Sequence, residues 1–489
     1  MPTMDANFFP QTAELLRFLP EIILTIAGTL LLLMEGFKKD GDSRSLIATL
    51  AAVAIGLAMY GTVVAYDNPG LAFSNMLVSD GFAAFFRLVA LGVGLLTVLC
   101  SSSYLQRERS HSGEFYVLLL FSLAGQCLMA AANELMMVFI GLEVSSIASY
   151  ILAGYLRDDK RGNESALKYF LLGSFATAFL LYGVAWVYGM TGSTNLLEIR
   201  AAMEKGVPSM TMVSAAAGLM LVGLAFKISA APFQVWAPDV YQGAPAPVAG
   251  FLSAGPKAVA FAVLIRVFQT AFEPIAARWE PVLWVMALLT MMIGNFSALW
   301  QSNIKRMLGY SSIAHAGYVL VAVTTHSTTG TAAAMFYLAA YGLMNYGAFA
   351  IVTHVAGKGE GKVTLDDLKG LSQKEPAVAA LLTVFLLSLI GVPLTAGFFG
   401  KFYIFKAAMD SHLVWLTALG LLNSAVAAYY YLRVLVVMYM HDPETTEHVT
   451  AIPGGLKLTM WVTAAATLVL GIFPGLVLDF AAKFAALNK

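Results

Sequence analysis

The chain has 489 residues, of which 59% are hydrophobic and 12% charged, and its 29 basic and 29 acidic side chains cancel. A water-soluble chain carries about 25% charged residues, so half that fraction with a mean hydropathy of +0.75 requires the lipid bilayer as solvent. The balanced, sparse charge excludes a polybasic nucleic-acid binder and an acidic disordered chain, and Cys100 and Cys127, both in apolar runs, offer no disulfide framework and no CxxC pair for zinc or an iron–sulfur cluster.

A crossing helix needs about 20 mainly apolar residues, because roughly 30 Å of hydrocarbon is divided by a rise of about 1.5 Å per residue. In chain order the candidate spans are 17–37, 44–66, 80–103, 114–132, 134–156, 164–189, 211–231, 233–272 with an interruption, 281–301, 307–324, 330–356, 377–409 with an interruption, 412–440 and 456–478. These predict an all-α integral membrane protein with about 14 transmembrane helices. The first segment follows acidic rather than basic residues and is too long for a signal-peptide core, so it is expected to stay as the first span.

Lysine and arginine mark cytoplasmic loops. Lys38, Lys39, Arg44, Arg107, Arg109, Arg157, Lys160, Arg161, Lys305, Arg306, Lys358, Lys362, Lys369 and Lys374 fall in odd-numbered loops, against Arg200, Lys205 and Arg278 in even ones. With an even number of spans, both termini are expected on the extracytoplasmic side. The longest cytoplasmic connection, Gly357 to Pro376, is too short for a domain and is expected to carry a short amphipathic helix around Leu365 to Leu371. Neither GxGxxG nor GxxxxGK[ST] occurs, so the sequence shows no visible means of holding NADH or ATP.

An ionisable group inside a span costs several kcal/mol unless it meets a partner or water. Glu143 lies mid-helix in ELMMVFIGLEVSSIASYILAGYL, with Ser146 and Tyr150 at i+3 and i+7 on the same face. Lys227 ends an apolar run, Lys257 follows Gly255 and Pro256, Lys401 follows Gly400, and His315 sits in YSSIAHAGYVLVAV. No snorkelling distance explains the lysines, so they read as functional. Lys160, Arg161, Lys305 and Arg306 stand beside a cytoplasmic boundary and read as structural ion pairs or snorkelling ends. Lys168 has Glu164 at i−4, and a surface pair and a functional role remain open for it.

Two of the spans are interrupted. KISAAPFQVWAPDVYQGAPAPVAG contains Pro232, Pro238, Pro245 and Pro247, and LIGVPLTAGFFGK contains Gly391, Pro393, Gly397 and Gly400. Backbone groups freed in lipid are tolerated only where they line a cavity or are buried in protein, and broken helices in separate halves mark transporters built from repeats. A lysine lies close to each break. Burial disfavours the charged form of lysine and a nearby carboxylate restores it, which suits lysine to proton transfer. The expected relay pairs Glu143 with Lys227, uses Lys257 at the centre and passes the proton to Lys401 in the opposite half.

LLRFLPEIILTIAG, ESALKYFLLGSFATAFLLYG, KISAAPFQVWAPDVYQGAPAPVAGFLSAGPKA and NIKRMLGYSSIAHAGY resemble the N-subunit family of bacterial respiratory complex I, the proton-pumping NADH:quinone oxidoreductase, within the wider group of Mrp-type antiporter-like subunits. VYQGAPAP and the lysine at 401 resemble the N type rather than its relatives. The resemblance implies two inverted five-helix repeats, each with a discontinuous helix, at 113–272 and 273–441, preceded by a three-helix segment at 1–112 and followed by a C-terminal helix at 442–489. It implies catalytic roles for Glu143, Lys227, Lys257 and Lys401, with Lys168 and His315 in or near the hydrated path. Where the family commonly reads PFHxW this chain has Gln234, which cannot carry a proton. The resemblance further implies a bacterial inner-membrane subunit bound to other complex I membrane subunits, holding no cofactor itself, with NADH, FMN, iron–sulfur clusters and quinone handled by other subunits. A subunit of a Mrp-type cation/proton antiporter without redox chemistry, and a scaffold whose buried charges only lock helices, are the alternatives.

Overall fold

The computed structural model describes residues 10–37, 45–110, 113–443 and 451–487; Lys38, Lys39 and Arg44 lie outside the described residues. The order is α1 (Thr12–Arg17), α2 (Leu19–Gly36), α3 (Ser45–Asp67), the hairpin β1 (Gly70–Ala72) and β2 (Leu77–Ser79), α4 (Gly81–Arg107), α5 (Glu114–Ala131), α6 (Leu135–Ala153), α7 (Lys160–Thr191), α8 (Leu196–Lys205) and α9 (Met210–Ile228). There follow α10 (Trp236–Gly243), α11 (Ala246–Thr270), α12 (Ala276–Leu299), α13 (Ile304–Thr324), α14 (Thr328–Val355), α15 (Leu371–Lys374), α16 (Pro376–Ile390), α17 (Ala396–Asp410), α18 (Val414–Met440), α19 (Gly454–Ile472) and α20 (Gly475–Phe484). Thirteen described helices are long and apolar enough to cross a membrane, or up to 14 when Asp366–Lys374 and Pro376–Ile390, bent by 119°, count as one. The expectation of an all-α membrane protein with about 14 spans is borne out.

Helix starts are written locally. Asp80, Glu134, Asp159, Asn195, Ser209, Asn303 and Ser327 each accept a backbone N–H in the first turn of α4, α6, α7, α8, α9, α13 and α14, which satisfies donors that lipid cannot. Pro376 opens α16, where its missing N–H is harmless. Small residues set the tightest crossings. A Cβ on Gly141 of α6 would lie 2.9 Å from the Gly125 carbonyl oxygen of α5, and one on Gly294 of α12 would lie 2.5 Å from the Ala314 nitrogen of α13. α11 and α13 are buried along nearly their whole length, whereas α2 is mostly exposed at the periphery.

The first interruption is longer than the 233–272 span allowed for. α9 ends at Ile228, residues 229–235 are non-helical, and only then come the short α10 and, past Pro245, the long α11. Pro232 and Pro245 both remove donors, so the chain cannot run on as one helix. The second break falls where expected, between Ile390 and Ala396, with Gly391 at φ 97°.

The loop after α14 corrects a second expectation. It carries only a turn at Asp366–Leu368 and the four-residue α15, and Leu365, Leu368 and Leu371 are buried against the protein rather than laid on an interface. Backbone hydrogen bonds of 2.8 Å from Leu365 to Ser302 and from Ile304 to Val363 hold it there.

Candidate functional site

Lys227, near the C-terminal end of α9, is half-buried in an aromatic cage, its Nζ 5.0 Å from the Tyr150 ring centre, 5.3 Å from Tyr169 and 5.7 Å from Phe226. Rings of this kind steady a desolvated cation without a counter-ion. Nζ also donates to Tyr150 Oη at 3.4 Å. Glu143 does not pair with Lys227 directly; its Oε1 is buried without a hydrogen-bond partner, and its field acts on both Tyr150 and Lys227. Tyr150 thus stands between acid and base. The Ser146 hydroxyl, one turn below, donates to its own helix at the Leu142 carbonyl.

Lys257, at mid-α11, is fully buried. Its Nζ donates to the Ser312 carbonyl at 3.1 Å and lies 2.5 Å from the Ser312 hydroxyl on α13, with the Tyr241 ring centre 5.9 Å away. Ser312 stands one turn before His315. His315 Nδ1 is 2.5 Å from Tyr337 Oη and Nε2 is 3.1 Å from Tyr431 Oη, which in turn bonds Ser311. With both ring nitrogens engaged by hydroxyls, His315 can hand a proton from one to the other. The charges of Lys257 and Lys401 both act on it.

Lys401 shows why the second break is built as it is. When α16 ends at Ile390, its last carbonyls lose their intrahelical donors. Lys401 Nζ, arriving from α17, donates to the Leu389 and Ile390 carbonyls at 3.0 and 2.8 Å and to Ser424 Oγ of α18 at 2.9 Å. A cation at the negative end of a half-helix is stabilised there. Its Nζ sits 4.8 Å from the centre of the Tyr318 ring, and Tyr318 also packs edge-on against His315 at 5.6 Å. Lys257, Ser312, His315, Tyr318, Ser424 and Lys401 therefore follow one another through the core. At the first break different groups satisfy the backbone: Trp236 Nε1 donates to the Phe226 carbonyl and the Ala231 N–H donates to Thr290 Oγ1, both at 2.9 Å.

Two expected residues fall off this axis. Lys168 is partly exposed and pairs with Glu164 at 2.7 Å and with Asp239 at 2.8 Å, where Arg306 also binds at 2.5 Å. Gln234 is buried beside the first break with Oε1 unpartnered. Of the two structural readings open for Lys305, an ion pair or a snorkelling end, the structure shows the ion pair: it is fully buried against Glu360, because the loop folds over it. Two further ion pairs escaped the sequence reading, the buried Glu21–Arg87 at 2.6 Å and the part-buried Asp80–Arg266 at 2.8 Å. Arg87 in FAAFFRLVAL and Arg266 in AVLIRVF carry the same signal that marked the lysines, a charge in an apolar run; Asp80 carries none.

Interrupted helices that each adjoin a lysine, with a polar file leading from Lys257 to the second of them, define an antiporter-like membrane fold. Residues 132–427 match the family described as NADH:quinone oxidoreductase/Mrp antiporter, TM. The chain is 61% identical to NADH-quinone oxidoreductase subunit N 1 of Solibacter usitatus, over 99% of each chain. A chain of respiratory complex I from Thermus thermophilus with bound aureothin superposes with a TM-score of 0.81 at 36% identity, covering 95% of this chain and 99% of that one. A chain of the Mrp complex from Dietzia sp. DQ12-45-1b gives 0.84 at 22% identity over 97% of each, a likeness of fold alone. The chain belongs to the family of NADH-quinone oxidoreductase N subunits.

Proposed function

We propose that this chain is a proton-translocating membrane subunit of an NADH:quinone oxidoreductase, and that quinone reduction in other subunits drives H⁺ through Glu143, Lys227, Lys257 and Lys401. NADH, FMN, iron–sulfur clusters and quinone belong to those other subunits, and this chain contributes the path. The observation that carries the relay is the state of the three lysines: among the described residues none has a carboxylate oxygen within 4.0 Å, and each rests on hydroxyls, carbonyls or rings. A lysine that only locked helices together would be ion-paired; one supported by neutral groups can gain and lose its proton.

The proposed repeats at 113–272 and 273–441 are supported by matching pairings. α5 packs on α6 as α12 packs on α13, and α7 packs on α9 as α14 packs on α16 and α17. Its bacterial N-subunit relatives support a place in the inner membrane of a bacterium, and the charge asymmetry supports an orientation with the Lys- and Arg-rich loops cytoplasmic and both termini extracytoplasmic. Single substitutions Lys227→Ala, Lys257→Ala and Lys401→Ala in the assembled complex, reconstituted in vesicles, test the relay. Each is expected to abolish or strongly reduce proton movement per quinone reduced, and full movement in all three would sink it.

A further inference from the structure

The relay as described has no mouth. Lys257 is buried in the core, and its ammonium is hydrogen-bonded to Ser312 of α13. Two turns before Ser312 on the same helix stands Lys305, seven residues or about 10 Å away along the axis and on the same face. Gly309 lies between them, and a Cβ there would meet Pro238 at 3.3 Å and the Tyr241 ring at 3.4 Å. Tyr241 itself lies against Ser312 and close to Lys257.

Glu360 closes the outer end of this line. Gly357, Gly359 and Gly361 surround it, and its own backbone is held at φ 48°, a conformation that is unfavourable for a residue with a Cβ. Its carboxylate is turned inward, where Oε1 accepts from Tyr104 Oη of α4 and from the Ala246 N–H at the start of α11, both at 2.7 Å, and Oε2 pairs with Lys305. Lys305 gives a second hydrogen bond to the Ala244 carbonyl at 2.6 Å. On the loop side of Glu360 opens a cavity of about 310 Å³ lined by Tyr104, Glu108, Asp158, Asp159, Arg161 and Glu360. A polar cavity of that size holds several waters, and Arg157 and Arg161 stand among the carboxylates that line it.

We propose that Glu360 and Lys305 are the proton-loading pair of this subunit, taking protons from the loop-side cavity and delivering them along α13 to Lys257. The protonated Lys305 gives one proton, carried by water along α13, to the neutral amine of Lys257, and itself becomes a neutral amine while Lys257 becomes the ammonium. Glu360, having taken a proton from cavity water, restores Lys305 and returns to carboxylate, so one proton has moved and both groups are reset. This rests on the relay reading above.

The test uses the assembled complex in phospholipid vesicles, with proton movement measured per quinone reduced by a pH-sensitive dye and assembly checked by flavin content. Glu360→Gln keeps an acceptor for Tyr104 and Ala246 but cannot carry a proton, and Lys305→Arg keeps the ion pair but cannot release one. Loss of a positioned proton carrier slows its step about 10²-fold, so both variants are expected to lose the translocation assigned to this subunit, with Glu360→Asp restoring it. Wild-type translocation in assembled Glu360→Gln or Lys305→Arg overturns the proposal. If Glu360→Gln does not assemble, Lys305→Arg decides alone. Lys257→Ala separates the two levels: if it pumps normally the relay itself fails, and if it alone is impaired only the loading pair fails.

Discussion

Replacing Lys257 by methionine separates a functional lysine from a structural one. The substitution removes two hydrogen bonds to Ser312, about 1.5–3 kcal/mol each for a charged donor. It also removes the desolvation penalty of a buried ammonium, which is still several kcal/mol after relaxation. Among the described residues no carboxylate within 4.0 Å offsets that penalty, so the losses and gains are of similar size. Methionine fills nearly the same space with an adaptable chain. The expected stability change is therefore within about 2 kcal/mol of zero, and of either sign. Proton translocation is expected to disappear all the same. Thermal unfolding of the solubilised complex gives the first quantity and dye-detected proton movement in vesicles gives the second. A loss of more than about 3 kcal/mol, the signature of breaking a buried pair, with activity falling only in step with the amount of folded complex, would refute the reasoning.

Lys401→Met is expected to loosen the second break. It strips the donor from the Leu389 and Ile390 carbonyls, about 1–3 kcal/mol for each group left unpaired, so amide exchange around 387–395 is expected to quicken, and unchanged exchange contradicts this. Gln234→Leu deletes an acceptor that is already unpartnered and is expected to leave both proton translocation and the melting temperature within error, since no proton passes through an amide. Gly141→Leu drives a side chain into the Gly125 carbonyl and costs about 3 kcal/mol, read as a fall in folded subunit per unit of membrane protein. Asp80→Asn leaves Arg266 buried without its partner and, with Asp80 a third exposed, costs about 2 kcal/mol, seen as a lower melting temperature that added salt does not restore.

The lipid setting explains what could be read in advance. In a chain with so few charges, Glu143, Lys227, Lys257 and Lys401 stand out by desolvation cost alone, and the proline and glycine runs at 232–247 and 391–400 mark where the backbone must leave the helix. Each of these signals is local in sequence. The groups that were missed are tied together over long separations. Glu360 sits in GKGEGK, a string that reads as solvated loop, and becomes buried only when α4, α11 and α13 converge on it. Tyr337 and Tyr431 read as ordinary aromatic residues until His315 falls between them. Lys168 shows the same limit from the other side: its partner Glu164 is one turn away and was legible, while Asp239, 71 residues on, fixed it at the surface.

The most direct test of the central claim is a high-resolution structure of the assembled complex in which ordered water is resolved around α11, α13 and α17. The account predicts water-filled links from Lys227 past Tyr241 to Lys257 and from His315 past Tyr318 and Ser424 to Lys401, each step within hydrogen-bond reach. A dry, apolar gap separating any two of the three lysines in every state of the complex would contradict it.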